Sequence, residues 1–134
     1  MALATVGDTT QATLDVTTDR IDAFAEVSGD TSPLHLDEDH AAASMFGGRI
    51  AHGMLTAGAV SAALADLPGE IVYLSQDLQF VKPVRPGETV TVTATVVEDL
   101  GDDRVRVETV AETTETVLTG DAVVLSLPLV EQGD

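Results

Sequence analysis

A carboxylate and an imidazole five positions apart, Asp30 and His35, are the first candidates for chemistry in this 134-residue chain. They stand in Gly29-Asp30-Thr31-Ser32-Pro33-Leu34-His35, where Pro33 pushes Ser32 toward extended geometry. The segment therefore reads as an irregular loop on which the two side chains can converge. A carboxylate beside an imidazole is a usable acid–base couple near neutral pH, because an unperturbed histidine titrates at ~6.5. The same residues would also suit an Asx-turn at Asp30 followed by a core histidine, and spacing alone leaves both open. His52-Gly53 is the second candidate. Gly53 leaves its backbone N–H uncovered at the start of an apolar helix, where aimed donors and the helix dipole favour a polarised carbonyl oxygen. His52 itself reads as structural, and His40, between Asp39 and Ala41, as surface. The three histidines share no zinc-site spacing, and the chain has no cysteine. It also lacks a phosphate loop, a Gly-x-Ser-x-Gly elbow and a dinucleotide fingerprint, so no metal or redox cofactor is expected.

Charge narrows the partners. Asp and Glu number 23 against 6 Lys and Arg, a formal net charge of −17, and Lys82 is the only lysine. Phosphate backbones are neutralised by Lys and Arg, so nucleic-acid binding is not expected. The acids are spread along the chain rather than gathered in a tail. Such an acid-rich, lysine-poor composition resembles that of proteins from extreme halophiles, whose high salt shortens the range of self-repulsion. The N-terminus shows no basic region followed by a long apolar one, which predicts a cytoplasmic location.

The element that must position these residues runs from Arg49 to Leu67, RIAHGMLTAGAVSAALADL. It carries no charge from Ile50 to Ala65 and is built from small residues. Ala-rich composition favours a helix, and one apolar all round is expected to be buried on every side. It is too short and too Gly-interrupted to span a bilayer, so no membrane association is expected. Ahead of it, a strand is expected near Ala12–Val16, a helix capped by Thr18 and stopped by Gly29, and a second helix capped by Asp37 from Glu38 to about Met45. Behind it the period changes to two. Val72, Leu74, Leu78 and Phe80 would face one side of a strand. Val90, Val92, Ala94 and Val96 alternate with threonines, and Asp99-Leu100-Gly101-Asp102 reads as a hairpin loop. Strands are expected again over Arg104–Glu112 and about Thr116–Leu127. Helices followed by antiparallel strands predict an α+β fold in one domain over residues 1–134.

With these elements in place, SGDTSPLHLDEDHAA, GGRIAHGMLTAG and LQFVKPVRPGETVTV resemble the MaoC-like dehydratases, the (R)-specific enoyl-CoA hydratases of the hot-dog fold. The resemblance runs from about Asp19 to Pro128. It implies an antiparallel sheet wrapped around one long central helix. It also implies a water held between Asp30 and His35 that adds syn across a trans-2-enoyl-CoA to give (R)-3-hydroxyacyl-CoA. The thioester oxygen would sit on the Gly53 N–H, with Ser32, His52 and Gly58 in the substrate site. Asn is usual in the family at the position of Ser32, and a hydroxyl residue is frequent at that of Gly58. Coenzyme A would arrive with the substrate, and no further cofactor is implied. Lys82 and Arg85 could hold its phosphates or belong to a solvated turn. Hot-dog domains usually pair edge to edge, which implies a homodimer. The alternatives are a hot-dog acyl-CoA thioesterase and a non-catalytic module that binds acyl thioesters. The Asp-x-x-Pro-x-His loop ahead of the helix favours the hydratase.

Overall fold

Antiparallel pairing organises the computed structural model, which describes residues 2–129. β1 (Thr9–Asp15) leads into α1 (Thr18–Ser28), the short α2 (Pro33–Leu36) and α3 (Glu38–Ala42), and the long α4 (Gly53–Ala65). The strands β2 (Glu70–Gln76), β3 (Gln79–Phe80), β4 (Thr89–Gly101), β5 (Arg104–Glu112) and β6 (Thr116–Leu127) follow. Sheet order is β1-β4-β5-β6-β2, with β3 also paired to β6 and every pair antiparallel. α4 packs on the curled sheet against β1 and β4. The Thr10 hydroxyl pins it there by donating to the Ala63 carbonyl at 2.6 Å.

Alternation does in β4 what its sequence predicts. Val90, Val92, Ala94 and Val96 are buried, and so are Val105, Val107 and Ala111 on β5 and Leu118, Ala122 and Val124 on β6. The β4–β5 turn is tighter than expected. Pairing continues to Gly101↔Arg104, and only Asp102 and Asp103 make the turn, with φ of 54° and 64°. Two left-handed residues give the twist that a two-residue hairpin needs, and Asp tolerates that region better than most side chains.

The first half departs from expectation in several places. Thr17, not Thr18, caps α1, its hydroxyl accepting from the Arg20 N–H at 3.1 Å. Gly29 ends that helix as expected, at φ 79° with its N–H on the Ala25 carbonyl. Pro33 begins α2 rather than keeping the whole segment extended, because a first-turn residue needs no N–H partner. Asp37 caps α3, which stops at Ala42 instead of near Met45. The strand after Pro68 is divided at Asp77 and Leu78 into β2 and β3, and β2 itself carries a register shift between Tyr73 and Ser75. The largest correction concerns α4. Thr56, Ala59, Val60, Ala63 and Leu64 are buried, whereas Met54, Gly58, Ser61, Ala62 and Ala65 are exposed. One sheet covers one flank of a helix, and the other flank of this apolar helix stays open in the single chain. Among the described residues no helix is long and apolar enough to cross a membrane.

Candidate active site

Asp30 and His35 do converge. Asp30 Oδ2 lies 3.8 Å from His35 Nε2, with the carboxylate side chain 52% exposed and the imidazole 13%. The two open readings of Asp30 turn out to use different oxygens. Oδ1 accepts from the Ser32 N–H at 3.2 Å, closing an Asx-turn, while Oδ2 faces the ring. His35 Nδ1 is 2.9 Å from the Ile50 carbonyl. A carbonyl only accepts, so Nδ1 carries a proton, and in the neutral ring Nε2 presents a lone pair toward the carboxylate. At 3.8 Å the two side chains do not hydrogen-bond directly.

The segment from Arg49 to His52 holds this geometry. Arg49 Nε donates to the His35 carbonyl at 2.6 Å, and its Nη2 reaches Asp22 on α1 at 2.8 Å. The sequence alone marks Arg49 only as the start of the apolar stretch. The signal that it does more was its position, a charged residue between Gly48 and an uncharged run in a chain with few cations. His52 is 2% exposed, donates from Nε2 to the Asp30 carbonyl at 2.9 Å, and stacks on His35 with ring centroids 3.9 Å apart. It is absent from the walls of the two cavities that flank α4 and contacts both members of the pair instead. Asp30, His35 and His52 also offer one ligand atom each within 4.8 Å of one another. The set suits a metal poorly. His52 Nε2 is already committed to a carbonyl, and stacked rings set their in-plane lone pairs side by side instead of toward one point.

A cavity of about 500 Å³ opens beside the pair, lined by His35, Phe46, Gly53, Met54, Thr56, Phe80 and Lys82 among others. Asp30 is not part of its wall. At the N-terminus of α4 no side chain caps the helix, which leaves its first-turn N–H groups without a side-chain partner. Gly53 also leaves room for a neighbour that the sequence did not show, the exposed ring of Phe80. A Cβ at this position would fall 2.6 Å from a ring carbon of Phe80. A second cavity, about 520 Å³, runs along another flank of α4, with Met54 common to both. Gly58 lines this second space with Phe24, Ser61 and Tyr73, and a Cβ at Gly58 would meet nothing within 4 Å. Ser32 sits at the cap of α2, half-buried, without a side-chain cap bond. Lys82 is on the wall of the first cavity and pairs with Glu115 at 2.5 Å. Arg85 is not on that wall, and its backbone N–H is held by Glu88 at 2.7 Å.

A curled antiparallel sheet with one long helix packed across it is the hot-dog fold. Residues 4–124 match the MaoC like domain, and the chain belongs to that family. It is similar to a 3-hydroxybutyryl-CoA dehydratase from Methylorubrum extorquens, 43% identical over 124 residues that cover 90% of this chain and 78% of the relative. It is also similar to an (R)-specific enoyl-CoA hydratase from Rhodospirillum rubrum, 53% identical over 75 residues that cover 54% of this chain and only 52% of that one. Among solved structures, an (R)-hydratase from A. caviae involved in PHA biosynthesis superposes with a TM-score of 0.86 at 34% identity, covering 94% of this chain and 98% of the other. An unliganded R-hydratase from Pseudomonas aeruginosa gives 0.87 at 36% identity, over 97% of this chain and 88% of that one.

Proposed function

We propose that this protein is an (R)-specific enoyl-CoA hydratase, a hydro-lyase that interconverts trans-2-enoyl-CoA and (R)-3-hydroxyacyl-CoA. The carrying observation is the 3.8 Å between Asp30 Oδ2 and His35 Nε2, beside a cavity that His35 shares with Gly53. The names of the relatives support the same reaction. A carboxylate and a neutral imidazole nitrogen both accept, so a single water at this separation donates one hydrogen to each. Attack of its oxygen on C3 forms the C–O bond as the pair takes up the proton, and the π electrons move toward the thioester. The Gly53 N–H, at the positive end of α4, stabilises the enolate oxygen that grows in the transition state. The proton then passes from the pair to C2 on the same face, which makes the addition syn. Both atoms face the same water, so base and acid are roles of the pair rather than of either residue. The reaction balances with water alone and asks for no cofactor beyond the coenzyme A of the substrate.

The open flank of α4 carries a further part of the proposal. Met54, Val72, Tyr73 and Leu74 are exposed large apolar side chains, and β2 is an edge strand of the sheet. A second copy of the chain would cover both, giving a homodimer. Sedimentation in high salt should show twice the chain mass, and a monomer alone would remove this part. The function itself is tested by incubating the protein with crotonyl-CoA in high salt and following loss of enoyl absorbance. Formation of the (R)-3-hydroxy product is expected. Absence of hydration, or hydrolysis of the thioester without hydration, would overturn the assignment.

A further inference from the structure

His52 is the buried ring on which the candidate pair rests, and the proposed reaction makes no use of it. Its plane lies 28° from that of His35 at 3.9 Å, and its Nε2–H reaches the backbone carbonyl of Asp30 at 2.9 Å. One side chain thus touches both members of the pair, the ring of one and the main chain of the other. Phe24 packs against it as well, with ring centroids 4.9 Å apart. Its Nδ1 is buried and makes no hydrogen bond among the described residues. An unpaired buried nitrogen lowers stability, and a phenylalanine of similar outline would avoid it. Packing alone therefore does not account for an imidazole at this position. What the imidazole supplies and a phenyl ring cannot is the Nε2–H.

We infer that His52 is a positioning residue for the pair. Its Nε2–H holds the Asp30 carbonyl and so aims Oδ2 at His35 Nε2, while its ring face supports the imidazole of His35. The Asp30 loop needs such a tie. The other hydrogen bonds of Asp30 itself are its N–H on the Ser28 hydroxyl and the Ser32 N–H on Oδ1, both at the exposed surface. Asp30 also lies in no strand, so no ladder bond fixes its direction. The kinetic consequence rests on the hydratase reading, whereas the effect on the loop does not.

Three variants separate donor from ring. His52→Phe keeps a ring and removes the donor. His52→Asn has an amide that falls short of the carbonyl. His52→Gln returns a donor at about the reach of Nε2. Crotonyl-CoA kinetics, melting temperature and backbone ¹⁵N order parameters at Asp30 and Thr31 are measured for each. In His52→Phe and His52→Asn, kcat should fall by ~10-fold or more with KM within ~3-fold, since a misaimed group is lost mainly from the transition state. Order at Asp30 should drop in both, and the melting temperature of His52→Phe should not fall. His52→Gln should recover both kcat and order. Wild-type kcat and order in His52→Phe would overturn the inference, as would a His52→Gln protein as impaired as the other two. A kcat that merely tracks lost melting temperature would do the same, since a structural role predicts it. If the wild-type protein hydrates no enoyl-CoA, the hydratase reading fails, and the order parameters still decide whether His52 positions Asp30.

Discussion

Residues 29–53 and residues 89–127 are held in place by opposite means. In the β4–β5–β6 meander one interaction is repeated many times, as in Val92↔Ala111, Val96↔Val107 and Val107↔Ala122. Each strand is bonded along its length, and each inward residue packs against several others. Between Gly29 and Gly53 no ladder exists, and each functional group is fixed by one or two individual contacts. Arg49 holds the His35 carbonyl, Ile50 the His35 ring, and His52 the Asp30 carbonyl. Redundancy is the difference. A lost methyl group in the meander leaves the remaining ladder intact, while a lost donor in the site leaves one group unaimed. Stability and chemistry should therefore fail separately, each in its own region.

The largest expected effect is on chemistry alone. Asp30→Asn keeps Oδ1 as the acceptor for the Ser32 N–H and replaces only the oxygen that faces His35. His35→Asn keeps a donor for the Ile50 carbonyl and removes Nε2. Each should lower kcat by ~10²-fold or more with little change in KM, and the double variant should be barely worse than either. Melting curves should stay near wild type, because both residues are held from outside the core. Near wild-type hydration by folded Asp30→Asn would remove it from the mechanism and erase the division between the regions.

The complementary change comes from the meander. Val107 is fully buried on β5 and is absent from both cavity walls. Val107→Ala removes two methyl groups from a packed site, and should lower unfolding free energy by about 2 kcal/mol. Per folded molecule, kcat and KM should not move. Denaturant unfolding read beside steady-state kinetics checks this, and a kcat that falls while the protein remains folded would mean that the sheet aims the site directly.

The same difference decides what could be read from the sequence. β4 was legible residue by residue because period two is imposed along the whole strand by burial, and Val90 to Val96 carry it without exception. Gly29 and Asp37 were legible because each is a residue type tied to one local geometry, whereas spacing left two readings of Asp30 and His35 open and only the family resemblance favoured the pair. The contacts that join distant segments were not. Arg49 reaching the His35 carbonyl and Phe80 lying over Gly53 depend on where two chain segments meet, and neither has a local pattern. His52 was read as structural from its neighbours, and its stacking on His35 could be seen only once α2 and the start of α4 lay side by side. The open flank of α4 was misread for a related reason. Composition says that a helix is apolar, but whether one sheet or a second chain covers each flank is a property of the assembly.

The smallest effect is expected at Lys82, which tests whether an isolated contact can also be dispensable. Lys82 is the only lysine in a chain of net charge −17, and it lies on the cavity wall beside Glu115. Both side chains are about half exposed, at 48% and 63%, and exposed pairs of this kind contribute only ~0–1 kcal/mol. Exchanging Glu115 for a phosphate of coenzyme A therefore loses little, and it brings a cation to an anionic ligand on an otherwise repelling surface. Lys82→Ala should raise KM for the CoA ester by ~3-fold and leave kcat unchanged. Arg85→Ala should leave KM alone, because Arg85 is off the wall, and an equal rise in both variants would show that the two act together. Raising salt from 0.1 to 1 M shortens the screening length from ~10 to ~3 Å and should shrink the Lys82 effect. If KM is unchanged in Lys82→Ala at low salt, the phosphate lies elsewhere. If the rise persists undiminished at high salt, Lys82 contributes by the packing of its alkyl stem rather than by its charge.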